Sequence, residues 1–464
     1  MTMHAAAPSI RTTERARWWR ALARHRTLLL VAFGAVAAAA AWLRLPAIAR
    51  DTLWAEDGRT FLQHALDTGP IASLVTPYAG YLHTVPRLLA SVVVSFVPVS
   101  DWALGMTAGS CVVAGVLAAA ILVATRDVVR WMPARVAIAA LTVLAPLAPR
   151  EVLGNAANLH SLFLWALLWI ALARPRTRRT SIGLAIVALL GALTEIQVLF
   201  VLPLLVFGLR DRRRWPVGIA LLVGSAAQLV ATLSAPRAGS QQSAESVLSI
   251  AYGYLINGAM PLAVPQNSIG RVAMTSGPAL GIAVLALIGF AALLVVRRGT
   301  PGERLAVLSL LVGSVVVFAA SLIANPHPFT DYSALTGNQM LDVWLVRYGV
   351  VPSMMLAAVI PISLGVALAS RKVGTAVTHD PRSIALAIVG ALLAVSIVIQ
   401  FVPTSTRRSS GPTWQPQVIA AHQTCHALPP EARVDLKETI GWYVSIPCEL
   451  LNPSAGNHQS RALP

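Results

Sequence analysis

Charge is scarce in this sequence. Asp, Glu, Lys and Arg make up 12% of the 464 residues, and apolar residues make up 56%. Soluble domains carry roughly a quarter charged residues. A water-soluble globular fold is therefore excluded, and a polytopic membrane protein is expected. Acids are scarcer than bases, 19 against 36, which leaves a formal charge of +17. Lysine is nearly absent, occurring only as Lys372 and Lys437, while Ala is abundant. That bias is the one high-GC bacterial genomes produce. Cysteine is limited to three residues. Cys111 lies in an apolar run and reads as a small packing residue. Cys425 and Cys448 lie in a polar C-terminal tail and would pair as a disulfide in an oxidising compartment.

The apolar runs also lack ionisable residues in their interiors. A transporter normally keeps Asp, Glu, Arg or His near the bilayer midplane. A polytopic transporter or flippase of lipid-linked envelope intermediates is therefore the alternative reading rather than the leading one.

What is present is ordered. Apolar runs cover 27–46, 101–124, 134–149, 159–173, 181–194, 196–209, 216–234, 277–296, 305–324, 349–370 and 383–402. Arg clusters separate many of them, at Arg126/Arg130/Arg135, Arg174/Arg176/Arg178/Arg179, Arg210/Arg212/Arg213/Arg214, Arg297/Arg298/Arg304 and Arg371/Lys372/Arg382. Basic loops stay cytoplasmic. Placing every cluster inside gives eleven crossings, and the basic charge becomes a topology signal that needs no nucleic acid. The stretch from Thr84 to Pro98 is too short to span, holds Arg87, and reads as an interfacial helix. Residues 181–209 are too few for two full spans and read as a hairpin of short helices turning at Thr194–Gln197.

The expected fold is an all-α polytopic membrane protein in the bacterial plasma membrane. Residues 1–26 form a cytoplasmic basic N-terminus, with the first helix retained rather than cleaved. Residues 27–402 form the transmembrane domain, with 47–100 as its first outer loop. Residues 403–464 form a small extracytoplasmic α/β domain, with "TWQPQVIAAHQTCHAL" as a helix and "GWYVSIPCELL" as a strand.

Polar chemistry collects in the outer segments. The first holds Glu56, Asp57, Tyr78, Tyr81, His83 and Arg87. The second, "APREVLGNAANLHS", holds Glu151 and His160. The fourth, 325–348, ends on Arg347 and Tyr348. Such a rim fits an enzyme at the membrane–water boundary.

This layout resembles the GT-C superfamily of polyprenyl-phosphate-dependent glycosyltransferases, which includes protein mannosyltransferases and lipid A aminoarabinose transferases. The resemblance rests on order over about 20–400: a basic N-terminus, one helix, and the acidic pair in "WAEDGRTF". The interfacial segment "TPYAGYLHTVPRLLASVVVSFVP", the short hairpin and "VRYGVVPSMMLAAVIP" follow. It implies sugar transfer from a polyprenyl-phosphate donor to an envelope glycan, lipid or protein acceptor on the outer face. A first-loop carboxylate would be the general base. The family's pair reads Asp-Glu and here it is Glu56-Asp57. The order puts Glu56 at the base position, whereas Gly58 slightly favours Asp57. Arg347 and Arg87 are candidates for the donor phosphate. Glu151, His160, Tyr81, His83, Glu195 and Tyr348 are candidates for acceptor or sugar binding. Trp54, Tyr78 and Trp344 could stack on sugars, although aromatic residues gather at every membrane interface. Asp331 and Asp342 could join the acidic pair on a divalent cation, but no spacing demands it, and no required metal or other cofactor is expected. The same residues also have plain structural readings: the acidic pair as a solvated helix start, Arg347 as an interfacial anchor.

Overall fold

The computed structural model describes residues 25–236, 245–369, 381–403 and 405–452. The basic segment 1–24 and the Arg371/Lys372 cluster lie outside the described residues. The protein is predominantly helical, at 74%. The principal helices are α1 Arg26–Leu43, α2 Thr84–Phe96, α3 Trp102–Ala124, α4 Met132–Leu144, α5 Leu159–Leu172, α6 Arg178–Ala192 and α7 Trp215–Ser234. After them come α8 Val247–Tyr254, α9 Ala279–Arg298, α10 Pro301–Ala324, α11 Val350–Ala369, α12 Pro381–Ile399 and, in the tail, α13 Trp414–Cys425.

Among the described residues, seven helical stretches are long and apolar enough to cross a membrane: Arg26–Leu43, Val99–Asp127, Met132–Glu151, Arg212–Ser234, Ala279–Arg298, Pro301–Ala324 and Arg347–Ala369. The other expected runs form shorter elements. The helix α5 has 14 residues, α6 has 15, and Ile196–Gly208 is a 13-residue 3-10 helix. Helices α5 and α11 are enclosed by their neighbours along nearly their whole length. By contrast, α1, α7 and α9 expose rows of Leu, Val and Ile on one side. That is the surface a bilayer would cover, and it makes the chain a multi-pass membrane protein.

The two ends of the bundle differ in charge. At one end the arginine turns pack together. Arg130 pairs with Glu303 at 3.0 Å, Arg176 pairs with Asp127, and Arg213 donates to the Arg176 carbonyl at 3.0 Å. At the other end Arg44 closes α1. It is fully buried and donates to the carbonyls of Val143, Ala145, Phe401 and Gln400. The C-terminal ends of α1, α4 and α12 therefore meet at one level.

The hairpin 181–209 is present, as an α-helix followed by a 3-10 helix. Its turn is covered by protein. Thr84 donates to the Leu193 carbonyl through both its amide and its hydroxyl, and the Val85 amide donates to Thr194. These bonds anchor the start of α2, whose opposite face exposes Leu88, Val92 and Phe96. Thirteen residues at 1.5 Å rise reach roughly 20 Å, short of a bilayer core.

The tail folds as α13 followed by an antiparallel pair, β1 Arg433–Lys437 and β2 Tyr443–Pro447. The Cys425–Cys448 disulfide ties the helix to the end of β2, and Cys111 is a buried free thiol. Trp414 anchors the unit on the bundle, its amide bonding to the Asp51 carbonyl and its indole to that of Val99.

Candidate active site at the loop end of the bundle

The stretch that carries the acidic pair is helical from 55 to 68, and its turn Asp57–Leu62 is a π-helix. Such turns are rare and concentrate at functional positions. Neighbours on a helix point about 100° apart, so the two acids face different surroundings. Asp57 turns inward and is 1% exposed. Its carboxylate accepts from the amides of Ala156 and Ala157 at 3.0 and 2.8 Å, just ahead of α5. Burial raises its pKa to about 7 against the pull of those bonds and of Arg408. Asp57 thus locks the first loop to the second. Glu56 is half-buried, and its Oε2 has no hydrogen-bond partner.

Glu56 shares one electrostatic neighbourhood with Arg347, Tyr348, Tyr81 and Glu151. Arg347 donates to Glu151 at 2.9 Å through Nη1, and its Nε is buried without a partner. Glu151 also lies 4.0 Å from Arg407, whose guanidinium sits over the Trp344 ring at 3.3 Å. A cleft of about 350 Å³ opens beside Arg347, lined by Glu151, His327, Phe329, Trp344 and Tyr348 among others.

The second half of the cluster comes from the hairpin turn and the Tyr78–Tyr81 turn. His160 and Glu195 pair at 2.6 Å. Tyr78 and Tyr81 exchange backbone hydrogen bonds around Ala79 and Gly80, both at positive φ. Ala79 pays strain to turn there. The turn brings Tyr81 to 3.9 Å from the His83 ring and 6.5 Å from that of His160. Burial holds the His83 imidazole well below its ordinary pKa, helped by its neighbours His160 and Arg87, so it is neutral at pH 7. Its Nδ1 has no partner, nor does Gln197 Oε1 beside the Glu195 turn.

Buried polar groups are normally satisfied. Here Glu56 Oε2, His83 Nδ1, Gln197 Oε1 and the Nε atoms of Arg347 and Arg407 are not. They belong to one neighbourhood at the bundle's loop end, and a polar ligand would supply what they lack.

Not every candidate joins it. Arg87 is absent from the cleft wall: it is fully buried, bonded to His64 at 3.1 Å and lying over the Phe61 ring, with its Nε and Nη2 unpartnered and its charge acting on His83. Trp54 is buried, whereas Trp344 presents an exposed face at the cleft. Among the described residues no three His, Cys, Asp or Glu side chains are grouped to hold a metal ion.

Three supporting residues stand outside the site candidates of the sequence, although Asn257 lies in its polar third outer segment, 235–276. Asn257, in the π-helical turn Leu255–Ala259, accepts from the Val346 amide at 2.8 Å and fixes the backbone before Arg347. Arg408 is buried and donates to the Thr52 carbonyl, Thr107 and the Leu153 carbonyl, joining three segments. Arg407 lies against Glu151 and Trp344, two residues of the cleft wall. The doublet Arg407-Arg408 carried a signal, since basic residues in a segment expected outside go against the charge rule.

No protein-family model matches the chain, and no curated protein matches it significantly.

Proposed function

We propose that this chain is an integral-membrane glycosyltransferase of GT-C type. It moves a sugar from a polyprenyl-phosphate donor to an envelope glycan, lipid or protein acceptor. The observation that carries the reading is a single juxtaposition: an unpartnered carboxylate oxygen on Glu56 near a half-free guanidinium on Arg347, at the loop end of an apolar bundle.

In this reading Glu56 is the general base. As the acceptor oxygen bonds to the anomeric carbon, its proton passes to Glu56 Oε2. The bond from that carbon to the phosphate oxygen breaks, and the lipid phosphate leaves with the electron pair. Arg347, oriented by Glu151, stabilises that charge through its free edge. Trp344 and Phe329 line the cleft where a sugar or the first isoprene units would lie. Tyr81, His83, Tyr348 and the His160–Glu195 pair line the acceptor side. Asp57 and Arg87 support the site from behind. No metal or other cofactor is invoked, so a chelator should leave the rate unchanged.

The arginine-rich end is cytoplasmic under the charge rule. The N-terminus is then inside, the tail is outside, and α5, α6, Ile196–Gly208 and α12 add four short crossings to the seven long ones, in a bacterial plasma membrane. The test is to offer purified protein in lipid a panel of labelled polyprenyl-phosphate sugars. Transfer that falls in Glu56→Gln, and a raised donor KM in Arg347→Ala, support the reading. A flippase would move the lipid without transferring label.

A further inference from the structure

A helix start leaves its first amides without partners, and Ser, Thr, Asp or Asn at the cap position usually satisfies them. The helix that carries Glu56 begins after Leu53-Trp54, and neither side chain can do so. The partners come from the other end of the chain. Glu438 accepts from the amides of Gly58 and Arg59 at 3.1 and 2.7 Å. Thr439 accepts from the Ala55 amide at 3.2 Å, and its own amide donates to the Leu53 carbonyl at 3.2 Å. These bonds bracket Glu56 on both sides. Glu438 is 1% exposed, so this carboxyl is enclosed between tail and loop. Gly58 admits it: a Cβ there would lie 2.2 Å from Glu438 Oε2.

We propose that Glu438 is a positioning residue for Glu56, so that the tail completes the active site by capping, from outside, the turn that holds the base. The inference rests on the reading of Glu56 as base. It gives the tail a role that a cover over the bundle would not have. Glu438 touches no reacting atom. It fixes the backbone from which Glu56 projects, and small displacements of a catalytic group are costly.

The experiment uses the full chain in lipid and two readouts on Glu438→Ala, Glu438→Gln and Gly58→Ala. The first is amide hydrogen exchange at Gly58 and Arg59, which needs no substrate. The second is kcat and donor KM for label transfer. Glu438→Ala should speed exchange at both amides by about tenfold or more. It should lower kcat by about 10- to 100-fold with donor KM nearly unchanged. Glu438→Gln keeps one of the two acceptor oxygens, so it should protect one of the two amides and recover part of kcat, falling between wild type and the Ala variant. Gly58→Ala displaces the same carboxyl with the tail sequence intact, so it should reproduce the Ala variant and serves if that variant fails to fold. Unchanged exchange in Glu438→Ala, or faster exchange with wild-type kcat, would overturn the proposal while sugar transfer itself stands. A wild type that transfers no sugar would instead remove the function, and the base with it.

Discussion

Three carboxyls sit within one helical turn's reach of each other, and each is used differently. Glu56 keeps an oxygen without a partner, Asp57 binds two amides of the second loop, and Glu438 binds two amides of the first. The Glu-Asp doublet could be read from the sequence as a candidate site. Which member keeps an unpartnered oxygen could not, because that depends on how the helix starts, and Glu438 caps that start from some 380 residues away. Burial raises Asp57 from 3.8 to about 7 and Glu438 from 4.5 to about 9. A raised acid favours the folded state while protonated. That contribution is complete below the ordinary value and is lost as pH rises through the folded one. As pH rises from 4.5 toward 9 the unfolding midpoint of wild type should therefore fall relative to that of Glu438→Gln, whose side chain does not ionise. Parallel curves across that range would show that Glu438 is not held protonated. Asp57→Asn keeps one acceptor for two amides. It should lower the midpoint and cost less transfer than Glu56→Gln.

At the scale of elements, the turn before α11 carries Arg347 and depends on close backbone approach. A Cβ on Gly349 would meet the Asn257 carbonyl oxygen at 2.3 Å, and backbone cannot move aside as a side chain can. Gly349→Ala should destabilise the fold by about 1–3 kcal/mol and raise donor KM, measured by thermal unfolding and label-transfer kinetics. A variant with wild-type donor KM would detach this turn from the donor site. The long helices and the short hairpin were legible because apolar runs and Arg clusters mark their limits, and of the tail's elements the helix and β2 were legible but β1 was not. The number of crossings was less so. Helices such as α5 are buried by protein on all sides, and enclosed helices need not match bilayer thickness. The π-helical turns and the positive φ at Ala79 leave no periodic trace.

For the whole molecule, the tail is joined to the first loop, α3 and the second loop through Trp414, Glu438 and Arg408. The bridge Cys425–Cys448 closes a loop of 23 residues, a length for which a disulfide contributes about 3 kcal/mol. Replacing both cysteines by Ser should lower the unfolding midpoint and reduce transfer by loosening the cap on the Glu56 helix. A stable, fully active variant would argue that the tail docks without it. Sidedness has its own check. A cysteine placed at the exposed Ser410 should react with an impermeant maleimide in intact cells, one at the exposed Arg179 should not, and the buried Cys111 stays silent. The reverse pattern would put the acidic pair in the cytosol.

All of this turns on whether Glu56 takes a proton from an acceptor hydroxyl. The direct measurement is single-turnover transfer of labelled sugar from polyprenyl phosphate, comparing wild type with Glu56→Gln in lipid. The expected result is transfer by the wild type and a rate lower by about 10²- to 10⁴-fold in the variant, with donor binding retained. Equal rates in the two proteins would contradict it.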